Sequence, residues 1–275
     1  MSAPIDGAGF APDEPGYVPP DPDEPPDPGY VPPDPDEPPA IELWRAVGDV
    51  PPWGTMLLLL SWGSVFALLA WRHELGSSPA YLAHGASVTQ RDALDASWRL
   101  LASTFLHAGP AHVVLNAATM LVFGPAVERI FTRWGFAIIF AGGGALASLA
   151  SLAWRLSRYG VGPHISIGAS GAIFALGGAL LAGAFRLRGR LASGRARALG
   201  AAILFLALPA LANGFEHHGT DNAAHAAGLV SGVLLGAVMP LSERLGGSGA
   251  PMPVRLLGAL AVIALAISFV RVFTG

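Results

Sequence analysis

The chain has 275 residues, of which 52% are hydrophobic and only 13% charged, with a mean hydropathy of +0.51. A soluble globular domain carries about 25% charged residues, so this composition excludes an ordinary soluble chain. Cys is absent and all sixteen basic residues are Arg, which excludes a thiolate nucleophile, a disulfide framework, Schiff-base chemistry and a serine–lysine mechanism.

The net charge of −3 hides two opposite parts. Residues 1–45 hold eleven of the nineteen acids and one Arg, a charge of −10, whereas residues 46–275 carry +7. The motif Gly16-Tyr-Val-Pro-Pro-Asp-Pro-Asp-Glu-Pro-Pro26 recurs at Gly29–Pro39, a period of 13 residues. Proline removes backbone donors and fixes φ, so neither helix nor sheet propagates here. Acidic repulsion and scarce apolar groups leave nothing to offset ordering entropy. Residues 1–45 are therefore expected to form a disordered acidic arm, a spacer or a docking segment for a cytoplasmic partner. With no basic or apolar region, the arm does not read as a signal peptide.

Seven apolar spans follow, each near the length a membrane helix needs. They run approximately over 53–71, 110–130, 135–154, 170–187, 198–214, 221–240 and 254–273. The loop between the fourth and fifth holds Arg186, Arg188, Arg190, Arg195 and Arg197. That density places it in the cytoplasm by the positive-inside rule. Alternation then puts the acidic arm in the cytoplasm, and the 72–109 and 155–169 loops on the outer face. Arg72, Arg91, Arg99, Arg155 and Arg158 fall on that outer side, against the rule. Small residues crowd the later spans, among them Gly142, Gly143, Gly144, Gly177, Gly178, Gly228, Gly232 and Gly236. They let helix backbones approach closely, which favours a compact bundle over a wide pore or a transporter.

Polar groups at membrane depth mark function, and three places carry them. In the second span, Gly109-Pro110 reads as a helix start, which sets His112 and Asn116 on one face at i, i+4. Both can donate to a substrate oxygen; zinc ligation by His107 and His112 is the competing reading, without the HExxH spacing. At the start of the fourth span, Gly168-Ala-Ser170-Gly171 permits a tight turn that leaves Ser170 near a helix N-terminus. The free N–H groups and dipole there favour a developing anion. In the sixth span, His225 shares a face with Gly228 and Gly232. Two small-residue faces, one bearing Ser170 and one bearing His225, can meet closely enough for the serine to be activated by the imidazole.

In this order, these motifs resemble the rhomboid family of intramembrane serine proteases. The resemblance covers about residues 53–240. It rests on Trp98-Arg99, His107…His112…Asn116, Gly124…Glu128, the GxSG at Gly168–Gly171, and Ala224-His225…Gly228…Gly232. The seventh apolar span adds a cytoplasmic loop and a transmembrane helix at 241–275; the resemblance implies an all-α membrane fold with a six-helix catalytic core at 46–240. It implies Ser170 as nucleophile and His225 as general base, with no third acid. His112, Asn116 and the backbone N–H of Ser170 would form the oxyanion hole, with Gly168, Gly171, Phe174 and Gly228 in support. Glu128 would be a structural hydrogen-bonding residue and Asp221 an N-cap. Trp98 and Arg99 would lie in an external loop at the membrane interface. Phe174 stands where the family often has Tyr, and the arm has no family counterpart.

The expected function is thus a serine endopeptidase that cleaves single-pass membrane proteins near the outer surface of a cell membrane, a bacterial plasma membrane. Substrate entry would loosen span five or the loop 213–220. The alternative is a rhomboid-like pseudoprotease that binds membrane clients without cutting. No cofactor, metal or nucleic-acid partner is expected; the lipid bilayer is.

Overall fold

The computed structural model describes residues 51–90, 96–188 and 221–274. The acidic arm, span five with the loop 213–220, and Arg190, Arg195 and Arg197 lie outside the described residues. Six of the seven predicted spans fall within them, and all six are helical. The elements are α1 (Trp53–Trp71), α2 (Ser78–Ala83), β1 (Ser87–Val88), α3 (Arg99–Ala102), α4 (Pro110–Tyr159), β2 (Ile165–Ser166), α5 (Ser170–Arg186), α6 (Asn222–Val238) and α7 (Met252–Thr274).

Spans two and three are continuous as α4, broken only where Thr132 leaves helical geometry (φ 65, ψ 165). The Thr132 hydroxyl accepts from the Gly135 N–H at 3.5 Å, so one residue ends the first half and caps the second. A linker of several residues, expected from the drop in hydropathy at Arg129–Arg133, is absent. The second half also runs past 154 to Tyr159. Arg155 and Arg158 therefore belong to the helix and not to a loop.

That extension explains part of the charge pattern. Arg155 is buried and donates to the carbonyls of His164 (2.6 Å) and Ser87 (3.4 Å). Arg99 donates to the carbonyls of Leu82 (2.7 Å) and Ala86 (3.1 Å). Both guanidiniums are engaged within the protein, Arg155 also reaching the hydroxyls of Ser87 and Ser151. Arg186, in the cluster on the other side, donates to the Gly236 and Met239 carbonyls and closes the end of α6.

The core gathers Trp62, Phe105, Met120, Phe131, Phe140, Leu176 and Leu180. Glu128 reaches from α4 to the head of α1, accepting from the Gly54 N–H, the Thr55 N–H and the Thr55 hydroxyl at 3.1, 2.8 and 2.7 Å. A carboxylate at a helix N-terminus satisfies orphan donors and favours the dipole. The closest helix pair is α5 with α6. A Cβ added at Gly228 would strike the Gly171 carbonyl, and one at Gly232 would strike the backbone of Ala175. Only glycine lets these two backbones touch.

β1 and β2 form a two-residue antiparallel ladder, Ser87 opposite Ser166 and Val88 opposite Ile165. It ties the first long loop to the segment that leads into α5, a small exception to an otherwise all-α fold. The seventh helix leans on the same loop. His84 Nδ1 donates to the Val272 carbonyl at 2.6 Å, and its Nε2 meets Glu74 at 3.0 Å. Trp98 lies between the guanidiniums of Arg99 and Arg271, 4.9 and 5.7 Å from its ring. Along the same helix Gly258 packs on Trp134 and Ser268 is buried, while Leu256, Leu260, Ile263 and Ile267 face outward as an apolar surface.

Candidate active site

The loop into α5 is set by Gly168. Its φ of 121° lies where side chains are strained, and a Cβ there would press on the His112 ring at 2.7 Å. Its N–H donates to the Ser103 carbonyl at 2.9 Å. The chain then turns so that Ser170 opens α5. Its hydroxyl sits at the positive end of that helix.

Ser170 Oγ lies 2.8 Å from His225 Nε2. His225 is buried in the first turns of α6, and Phe174, one turn after Ser170, lies on its ring. With Nε2 accepting from the hydroxyl, the neutral imidazole carries its proton on Nδ1, an assignment made from the hydrogen bond. Among the described residues His225 Nδ1 has no partner. The Asp221 carboxylate is engaged elsewhere: one of its oxygens caps α6 at the Ala224 N–H (3.1 Å), and the other accepts from the hydroxyls of Ser166 (2.8 Å) and Ser151.

On α4, which begins at Pro110 after Gly109, His112 and Asn116 share one face. The Ala108 N–H donates to His112 Nδ1 at 3.4 Å. That bond leaves the proton on Nε2, the atom turned toward Gly168. Asn116 is buried, and its amide nitrogen has no partner among the described residues. His112 thus lies against the serine loop, and Asn116 stands one turn further along the same helix face. His107 packs edge-on between Trp62 and His112, with ring centroids 5.4 and 5.2 Å away. Burial, and secondarily the neighbouring His112, push the His107 imidazole down to about 3. It is a neutral wall of the site.

A cavity of about 20 Å³, room for roughly one water, opens behind Ser170, lined in part by Ser103, Thr104, Ser148, Ser166 and Asp221. Gly171 is packed on Ala147, and Gly228 on Gly171 and Phe174. The structure therefore brings Ser170, His225, Phe174, Gly168, Gly171 and Gly228 into one contact group, with His112 against Gly168 and Asn116 one turn along α4. Sequence reasoning missed Ser151, Arg155 and Ser166. Their signal was faint: Ser151 and Arg155 stand at i, i+4 near the end of an apolar span, where Arg is costly unless it has partners.

Chemically, a hydroxyl bonded to a buried imidazole at a helix N-terminus, with donors beside it, is equipped for nucleophilic attack on a carbonyl. Fold and site together define a polytopic helical membrane protein built around a half-buried serine bonded to a buried histidine. Residues 95–242 match the Rhomboid domain. The chain is 35% identical over 188 residues to Rhomboid protease GluP of Bacillus subtilis (strain 168), covering 68% of this chain and 34% of that protein. It is 34% identical over 155 residues to RHOMBOID-like protein 4 of Arabidopsis thaliana, covering 55% and 36%. The match spans about a third of the length of these curated relatives. The chain belongs to the rhomboid family, and is an integral membrane protein.

Proposed function

We propose that this protein is an intramembrane serine endopeptidase that uses Ser170 and His225 as a catalytic dyad. Ser170 Oγ attacks the substrate carbonyl while its proton passes to His225 Nε2. The tetrahedral oxyanion is held by His112, Asn116 and the Ser170 backbone N–H. His225 then gives the proton to the leaving amine; a water, deprotonated in turn by His225, attacks the acyl carbonyl, and as the bond to Ser170 Oγ breaks the proton passes from His225 to that oxygen. The observation that carries this reading is the 2.8 Å contact between Ser170 and His225 at the head of α5, supported by kinship with proteins named rhomboid proteases.

The substrates are single-pass membrane proteins cleaved near the outer surface, and the membrane is a bacterial plasma membrane with the acidic arm in the cytoplasm. The charge of −10 and the repeated proline motif of residues 1–45 support a tether or a docking segment for a cytoplasmic partner. Co-expression with a panel of tagged single-pass membrane proteins tests the reading. Wild type is expected to release a fragment that Ser170→Ala does not. Equal cleavage by both would end the serine mechanism, and binding without cleavage by wild type would favour a client-binding pseudoprotease.

A further inference from the structure

The Asp221 carboxylate does more than cap a helix. Capping needs one oxygen directed at the first turn, and an uncharged Ser or Asn supplies it equally well. Here Oδ1 fills that role at the Ala224 N–H. Oδ2 points away from α6 and accepts from Ser166, on the strand that leads into the serine loop, and from Ser151 on α4. Ser151 Oγ also accepts from Arg155 Nε at 3.1 Å. Arg155 continues to the Ser87 hydroxyl at 2.9 Å, and Ser87 faces Ser166 across the β1–β2 ladder. The contacts close into a ring: Asp221, Ser166, Ser87, Arg155, Ser151, and back to Asp221.

Ser151 and Arg155 are buried. A buried charge is costly unless compensated. In this ring a carboxylate and a guanidinium compensate each other through one serine hydroxyl. Ser166 lies four residues before Ser170, and Asp221 four before His225. The ring therefore joins the two chain segments that carry the reacting groups, without touching either group.

We propose that Asp221 is a positioning residue for the Ser170–His225 pair, locking the helix of the base to the loop of the nucleophile through Ser166 and to α4 through Ser151 and Arg155. The inference rests on the peptidase reading of that pair. Reacting groups displaced by about 1 Å lose on the order of 10²-fold in rate, so the lock acts on turnover and not on substrate affinity.

The test uses the full chain in detergent with a cleavable membrane substrate. Asp221→Ser keeps a capping hydroxyl and loses the second oxygen. It is expected to lower kcat by about ten- to hundredfold while KM stays within about twofold. Ser151→Ala/Ser166→Ala, with Asp221 in place, should reproduce the loss, and decides the matter if Asp221→Ser fails to fold. Wild-type kcat in the folded variants, or a change confined to KM, overturns the proposal. Ser170→Ala runs alongside. If it is inactive while Asp221→Ser is fully active, only the positioning role falls; if Ser170→Ala still cleaves, both readings fall.

Discussion

Phe174 lies flat against His225, with ring centroids 4.4 Å apart and 12° between the planes. The contact follows from helix periodicity, since Phe174 stands one turn beyond Ser170 and so shares the face that meets α6. Stacking holds the imidazole edge toward Ser170 Oγ. An aromatic pair contributes about 0.5–1.5 kcal/mol beyond its buried area. Phe174→Tyr preserves the ring and should retain nearly full activity. Phe174→Ala removes the platform and leaves a cavity costing about 3–5 kcal/mol, so both turnover and the thermal midpoint should drop. Full activity in a folded Phe174→Ala enzyme would show that the ring is packing alone.

His112 and Asn116 approach the site from the same face of α4, and each offers a donor: Nε2 beside Gly168, and a buried amide nitrogen. Losing one oxyanion donor costs on the order of 10²–10³ in rate in soluble serine enzymes. His112→Ala and Asn116→Ala are each expected to lower kcat far more than they raise KM. Steady-state kinetics on both, and on the double variant, checks this. An unchanged kcat in the double variant would remove these side chains from the mechanism.

Much of this was legible because the background is apolar. His112, Asn116, Ser170 and His225 stand out in spans that otherwise hold Ala, Gly, Leu and Val, and a polar group at membrane depth needs a reason. The faces shared by His225, Gly228 and Gly232 follow from 100° per residue and nothing more. Other features left no such trace. The break at Thr132 is one residue wide, so averaged hydropathy places a linker where a single cap suffices. The β1–β2 ladder is two residues long and shows no alternation to read. Asp221 read as a cap because its first oxygen acts locally. Its second oxygen meets Ser151 and Ser166, 70 and 55 residues away in the chain, a pairing that no local pattern encodes.

The base must be neutral to take the Ser170 proton, so activity should fall as pH is lowered through the titration of His225, and His225→Ala should be inactive at every pH. His107, whose burial pushes its imidazole down to about 3, should not contribute to that acid limb. A flat profile between about pH 5 and 8, with chemistry shown to be the slow step, contradicts general-base catalysis by His225. Chelators bear on the zinc alternative raised by His107 and His112. EDTA is expected to leave the rate unchanged, and inhibition that added zinc reverses would restore a metal to the mechanism.

Gly228 shows how the dyad depends on backbone contact. A Cβ there would run into the Gly171 carbonyl, next to Ser170, and come within 3.2 Å of Phe174 Cβ. Carbonyl oxygens cannot swing aside as a side-chain end can, so Gly228→Ala must push α6 away from α5. His225, three residues earlier on that face, moves with it, and the 2.8 Å contact to Ser170 lengthens. Overpacking of this kind costs about 1–3 kcal/mol, and misplaced reacting groups lose on the order of 10²-fold in rate. Gly228→Ala should therefore lower the thermal midpoint modestly and kcat severely. Gly63→Ala on α1 is the control, because a Cβ there meets nothing within 4 Å, and alanine favours the helix by about 1 kcal/mol. It should keep both stability and turnover. Equal activity in the two variants would mean that α5 and α6 tolerate separation, and that the serine–histidine contact is not held by this glycine face.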